Sequence, residues 1–127
     1  MNKIARSAEI DAATQITGVI EDHLNIPLKQ EHLSRLAGIP RRNLRRELLK
    51  ATGMTPYQYL LKARVKEAAR IIDEEPTAHP IDIAKRVGFP SVGALVRKFK
   101  REQGCTIEEY RSTILQHGAR PALRSNV

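Results

Sequence analysis

The sequence has no tryptophan and a single cysteine, Cys105, among 127 residues. One thiol excludes an internal disulfide and a cysteine-based zinc site, and it fits a reducing compartment. Aromatic residues supply only 4% of the chain while 41% of it is hydrophobic. A core must therefore be built from Leu, Ile, Val and Ala, a composition that favours helices over sheets. Apolar runs are short: none approaches the roughly 20 residues that span a bilayer, and residues 1–6 do not resemble a secretion signal. No membrane association is expected, and the cytoplasm is the expected location. The motifs of catalysis are missing too. There is no Gly-rich phosphate loop and no nucleophile elbow. His23, His32, His79 and His117 are far apart and lack any i, i+4 ligand spacing. Glu108 and Glu109 are helix neighbours that point apart, which suits a helix-dipole role better than acid–base work. No enzyme, metal site or cofactor is expected, and Cys105 reads as a small half-buried side chain rather than a redox sensor.

Acidic residues are also in short supply, 14 against 22 Lys and Arg, for a net charge of +8. That imbalance points to a polyanionic partner: DNA, RNA or an acidic membrane surface. Charge alone leaves the choice open, so the decision rests on pattern.

Apolar spacing predicts a first helix over residues 7–25, with Ile10, Ala13, Ile16, Ile20 and Leu24 on one face and Pro27 beyond its end. A second covers 29–37, with Leu33, Leu36 and Ala37 inward, and stops at Gly38. A third opens at Pro40, as a first-turn proline, and carries Leu44, Leu48 and Leu49 inward. Thr55 and Pro56 start a fourth as N-cap and first-turn proline, and it runs to about residue 73 without an internal Gly or Pro. A linker over 74–80 follows.

After the linker the pattern repeats. The octet Leu33–Pro40 aligns with Ile83–Pro90 at an offset of 50, Gly38 on Gly88 and Pro40 on Pro90. At an offset of 51, Leu44, Arg46 and Leu48 fall on Leu95, Arg97 and Phe99, and Gly53, Thr55 and Tyr59 fall on Gly104, Thr106 and Tyr110. Two copies of one unit are too few for a solenoid, so they read as paired modules.

Each copy is a helix, a glycine turn and a second helix, the helix-turn-helix plan whose second helix enters the major groove of DNA. The second helix of copy one offers Arg41, Arg42, Asn43, Arg45 and Arg46 outward, side chains that bond guanine and adenine edges bidentately or hold phosphates. The second helix of copy two offers Ser91, Val92, Gly93, Ala94, Arg97, Lys98, Lys100 and Arg101, with a small apolar leading turn and basic later turns. There Val92 or Ala94 suits a thymine methyl, and Arg97 a guanine or a phosphate.

These features resemble the DNA-binding domain of the AraC/XylS family, in particular its short stand-alone members. The resemblance is carried by Ile20-Glu21-Asp22-His23-Leu24-Asn25-Ile26-Pro27-Leu28, Leu44-x-Arg46-x-Leu48 and Gly53-x-Thr55-Pro56-x-x-Tyr59. It continues through Arg64-x-x-x-Ala68, Ile83-Ala84-x-x-Val87-Gly88-Phe89, Leu95-x-Arg97-x-Phe99 and Tyr110-Arg111, from about Ile10 to Ser112. It implies an all-α fold of about seven helices, two helix-turn-helix subdomains (7–54 and 74–117) and a connecting helix (55–73); residues 118–127, which show little apolar patterning, are expected to be a disordered tail. It implies a bacterial transcription regulator, an activator, that acts on double-stranded promoter DNA and contacts RNA polymerase. Two recognition helices about 34 Å apart on one face of a duplex enter successive major grooves, so binding as a monomer is expected. By the same resemblance the base-reading positions are Arg42, Arg45, Arg46, Val92, Gly93 and Arg97. Backbone contacts are expected from Arg41, Asn43, Ser91, Lys98, Lys100 and Arg101. In the last helix Ile107 departs from the proline usual in that family. Two other functions stay open on the residues alone: a non-specific architectural DNA-binding protein, and a protein-interaction module that antagonises another regulator.

Overall fold

The computed structural model describes the backbone of residues 2–117 and the side chains of residues 12–116. The side chain of Ile10, expected on the inward face, and the tail at 118–127, expected to be disordered, lie outside that description. The described residues form seven helices and no strand: α1 (Asn2–Asp22), α2 (Gln30–Ala37), α3 (Arg41–Thr52), α4 (Pro56–Glu74), α5 (Pro80–Val87), α6 (Val92–Gln103) and α7 (Ile107–His117). The chain divides into two compact units, Met1–Leu60 and Leu61–Val127, and the division falls inside α4.

Unit 1 closes its core with Ile16 and Ile20 from α1, Leu33 and Ala37 from α2, Leu44 and Leu48 from α3, and Leu60 from α4. Each pair is spaced i, i+4, one stripe of an amphipathic helix. Tyr59 at the edge of this core donates its hydroxyl to Glu21 of α1. Unit 2 repeats the scheme with Ala68 and Ile72 of α4, Ile83 and Val87 of α5, Leu95 and Phe99 of α6, and Tyr110 of α7. Phe99 and Tyr110 meet edge to face at 5.5 Å, a geometry favoured by the ring quadrupoles. The Tyr110 hydroxyl donates to Asp73 at 2.9 Å, the counterpart of the Tyr59–Glu21 bond. Arg64 is buried, its guanidinium 5.8 Å from the centre of the Phe89 ring, within cation–π range. Arg111 donates to the carbonyl of Ala78 at 2.7 Å and so ties α7 to the linker.

The local joints are copied as well. α2 and α5 each have 8 residues, α3 and α6 each have 12. Gly38 and Gly88 end the shorter helices at φ 71° and 94°, a left-handed conformation that residues with a Cβ adopt only at a cost. Their N–H groups bond back to Ser34 O and Ala84 O at 2.9 and 3.0 Å. At the start of α4, Thr55 Oγ1 accepts from Gln58 N–H at 3.1 Å while Gln58 Oε1 accepts from Thr55 N–H at 2.9 Å. Thr106 and Glu109 do the same at the start of α7, at 3.0 and 2.8 Å. Both are reciprocal capping boxes. α7 therefore starts at the position equivalent to α4 although Ile107 replaces the proline, and the isoleucine side chain is spent in the core, 1% exposed.

Several expectations need correction. Leu36 and Leu49, read as inward, are 44% and 38% exposed. Each adjoins a residue that already occupies the buried stripe, Ala37 and Leu48, and neighbours on a helix point about 100° apart. Pro40 is the N-cap of α3 rather than its first residue. α1 begins at Asn2, earlier than residue 7, and ends at Asp22, earlier than residue 25. Residues 23–25 form a turn in which His23 N–H bonds Ile20 O at 3.1 Å.

Candidate nucleic-acid interface

α3 breaks the rules of helix stability at its own start. Its first turn holds no acidic residue, and its N-cap, Pro40, provides no side-chain acceptor. The positive end of the helix dipole instead meets Arg41 and Arg42, a like-charge arrangement that costs up to about 1 kcal/mol per residue. α2 obeys the rule, with Glu31 in its first turn and Arg35 in its last, and α5 obeys it with Asp82, Lys85 and Arg86. Conflicts between local preference and sequence concentrate at functional sites, and free helix N–H groups beside cations form an anion site.

The arginines themselves are available. Arg41, Arg42, Arg45 and Arg46 are all exposed, and Asn43 is half-buried. Arg42 and Arg45 make no hydrogen bond or ion pair among the described residues. Arg46 lies 3.5 Å from Glu47 with its side chain 67% exposed, a surface pair worth little. Arg41 reaches Gln30 Oε1 at 3.4 Å. Arg41 and Arg45 border an open groove of about 460 Å³ that they share with Lys29, Glu31 and Tyr57. Leu44 and Leu48 anchor the opposite side of the helix, both essentially inaccessible.

α6 is capped conventionally: Ser91 Oγ accepts from Ala94 N–H at 3.1 Å. Ser91 is the extra residue that shifts the repeat offset from 50 to 51, so the insertion supplies a cap that α3 lacks. Arg97, Lys100 and Arg101 are exposed, whereas Lys98 is half-buried and paired with Glu102 at 3.2 Å. Val92 is 37% exposed and Gly93 half-buried. A Cβ at Gly93 would stand 3.3 Å from Nη1 of Arg97, so the glycine lets the guanidinium fold back over the leading turn. Two points differ from the sequence reading. Ala94 packs against the core instead of facing outward, and Val96, passed over, is 38% exposed. The signal for Val96 was its i, i+4 relation to Val92 opposite Leu95 and Phe99.

Among the described residues no group of His, Cys, Asp and Glu could hold a metal ion, and no helix is long and apolar enough to cross a membrane.

Residues 33–113, which run from within α2 into α7, match a family model described as "Helix-turn-helix domain". The chain is also 34% identical to the multiple antibiotic resistance protein MarA of Escherichia coli K12 over 103 residues, 80% of this chain and 79% of that protein. The chain belongs to the AraC-type helix-turn-helix family. It is accordingly a transcription regulator and not an enzyme. Within the family it is 31% identical to the HTH-type transcriptional activator RclR of Escherichia coli K12, covering 80% of this chain and 37% of that longer protein. Among solved structures, the DNA-binding domain of AdpA, crystallised with a target DNA, covers 84% of this chain and 96% of its own at 28% identity and a TM-score of 0.72.

Proposed function

We propose that this chain is a sequence-specific activator of transcription that binds double-stranded promoter DNA as a monomer in the bacterial cytoplasm, one recognition helix from each unit entering successive major grooves. The observation that carries the reading is the start of α3. Two arginines stand at a helix N-terminus that has neither a side-chain cap nor a carboxylate, Arg42 without a hydrogen bond or ion pair among the described residues and Arg41 bonded only to the neutral Gln30, and a polyanion relieves that conflict. The DNA-bound domain of AdpA and the activator RclR, as relatives, support duplex binding and activation. In this reading Arg42, Arg45 and Arg46 of α3 and Val92, Gly93 and Arg97 of α6 face base edges. Arg41, Asn43, Ser91, Lys98, Lys100 and Arg101 lie against phosphates. Activation would then run through contact with RNA polymerase. The subdomains span 7–54 and 74–117, with 55–73 as the connecting helix.

Selection of bound sequences from a random duplex pool, followed by titration of winner and scrambled DNA at fixed salt, tests this. A two-part motif bound at least ~10³-fold more tightly than scrambled DNA is the expected result. Arg46→Ala should cost about 1–3 kcal/mol and relax one base-pair position. Equal binding to both duplexes would replace the reading with an architectural protein, and no binding would replace it with a protein-interaction module.

A further inference from the structure

The two recognition helices keep one arginine in common and differ around it. Arg46 and Arg97 are equivalent, but Arg41, Arg42 and Arg45 of α3 are replaced by Val92, Gly93 and Val96 in α6. Core positions keep their character across the same offset: Leu44 and Leu48 match Leu95 and Phe99, all buried. The change is confined to the face that does not pack.

On that face Val92 and Val96 lie one helical turn apart, 37% and 38% exposed. Arg97, Lys100 and Arg101 share the exposed side of the same helix. Gly93 has no Cβ, and the Arg97 guanidinium folds close over it, Nη1 lying 3.3 Å from where a Cβ would stand. An exposed valine on its own needs no explanation. Two valines among three cations, at positions held by arginines in the sister helix, describe a surface of definite chemistry. Its complement is polyanionic and carries small apolar groups beside hydrogen-bond acceptors. An apolar protein patch would leave the cations unpaired, and bare phosphate would leave the valines without a partner. The major-groove edge of thymine satisfies both: it presents a 5-methyl group next to an O4 acceptor, on a chain of phosphates.

We infer that Val92 and Val96 recognise thymine 5-methyl groups, so that unit 2 selects a thymine-containing half-site around the base pair met by Arg97. The inference rests on the proposed sequence-specific binding and names the chemistry of its second half. Val96 thereby becomes a specificity-determining residue, and Gly93 leaves the room that the Arg97 guanidinium takes. Unit 1, with arginines at the same places, reads acceptor-rich guanine edges and has no such requirement for methyl groups.

The experiment uses the whole chain and its selected duplex. Arg46→Ala and Arg97→Ala first assign each part of the motif to its unit by the position each variant relaxes. Each thymine is then replaced by deoxyuridine, which removes the methyl and leaves the pairing and the O4 acceptor intact. In the unit 2 half, one or two such replacements should weaken binding about fourfold each, the ~0.8 kcal/mol of one methyl-sized group converted at ~1.4 kcal/mol per decade. Val92→Ala with Val96→Ala should abolish that sensitivity while leaving the response to unit 1 substitutions unchanged. Both valines are surface residues, and equal thermal melts of variant and parent confirm that the loss is one of recognition. If a two-part motif is found but deoxyuridine is tolerated throughout the unit 2 half, the inference is overturned and the regulator reading stands. Unaltered DNA binding by the double variant overturns it as well and assigns the valine face to a protein partner. If specific and scrambled duplexes bind alike, the reading beneath it has failed instead.

Discussion

Unit 1 and unit 2 share a frame in which nearly every joint is duplicated, yet the exposed surfaces of the two have traded character. Unit 1 exposes Leu36 and Leu49 where unit 2 has Arg86 and Lys100. Unit 2 exposes Ile81, Val92 and Val96 where unit 1 has Glu31, Arg41 and Arg45. The buried stripes do not trade, because a close-packed core penalises changes of volume or polarity far more than water-facing positions do. Duplication thus supplied two copies of a scaffold, and divergence was free to act on the faces that the scaffold leaves open. The N-termini of the recognition helices differ in the same sense. Neither has an acidic residue in its first turn, but α6 has a serine cap, whereas α3 has no side-chain cap and begins with two arginines.

The largest effect that would probe this comparison is in the cores. Phe99→Ala should destabilise unit 2 by about 3–5 kcal/mol, and Leu48→Ala unit 1 by about 2–5 kcal/mol. Residue-resolved hydrogen exchange should find the first loss concentrated in α5–α7 and the second in α1–α3. Equal loss throughout for both variants would mean that the two cores do not act as separate cooperative blocks.

A smaller difference is expected at the paired tyrosines. Tyr110 is 1% exposed and donates to Asp73, whereas the bond from Tyr59 to Glu21 lies near the surface. Hydrogen bonds to charged groups contribute more when water cannot replace them. Tyr110→Phe should therefore cost about 1.5–3 kcal/mol in denaturant melts and Tyr59→Phe under about 1 kcal/mol. Equal costs would show that the two bonds are equivalent in energy as well as in position.

Gly93→Ala works in the other direction. Alanine is favoured over glycine in a helix interior by up to about 1 kcal/mol, and the Arg97 guanidinium it would crowd is the end of a flexible side chain. Thermal stability should rise slightly while affinity for the selected duplex falls. A variant that is more stable and binds as before would show that the glycine has no part in recognition.

The smallest effect is one of pH. Burial, and then the hydrogen bond to Glu21, push the Tyr59 phenol from 10.0 up to about 12. A raised folded-state value means that the contribution of the neutral phenol to stability is complete below pH 10 and is lost as pH climbs from 10 to 12. Difference absorbance titration of the parent against Tyr59→Phe should reveal one tyrosine ionising near the upper value. Ionisation of that tyrosine at 10 would mean that neither the burial of its phenol nor the Glu21 contact holds in solution.

Much of this was legible in the residues. Paired Gly and Pro positions and leucines four apart are local signals with local causes, so the number of helices, their order and the duplication could be read without coordinates. The basic leading turn of α3 was equally visible, since charge sign needs no geometry. Other features were hidden because they depend on which neighbour takes the buried place. Leu36 and Leu49 looked as apolar as Leu33 and Leu48, and nothing in the sequence ranks one leucine above the next for burial. Val96 and Ala94 exchanged roles for the same reason, two positions apart on α6. The capping boxes at Thr55–Gln58 and Thr106–Glu109 were half seen, with the threonine recognised at Thr55 and its reciprocal partner overlooked.

The sequence by itself determined the helical class, the twofold repeat, the basic balance and the arginine-rich start of α3, all of which follow from composition and spacing along a single chain. Only the tertiary structure decided which apolar side chains the cores consume and which they leave outside, because burial is a competition among neighbours for a limited interior. That competition placed Ile107 in the core and left Val92 and Val96 on an open face beside Arg97.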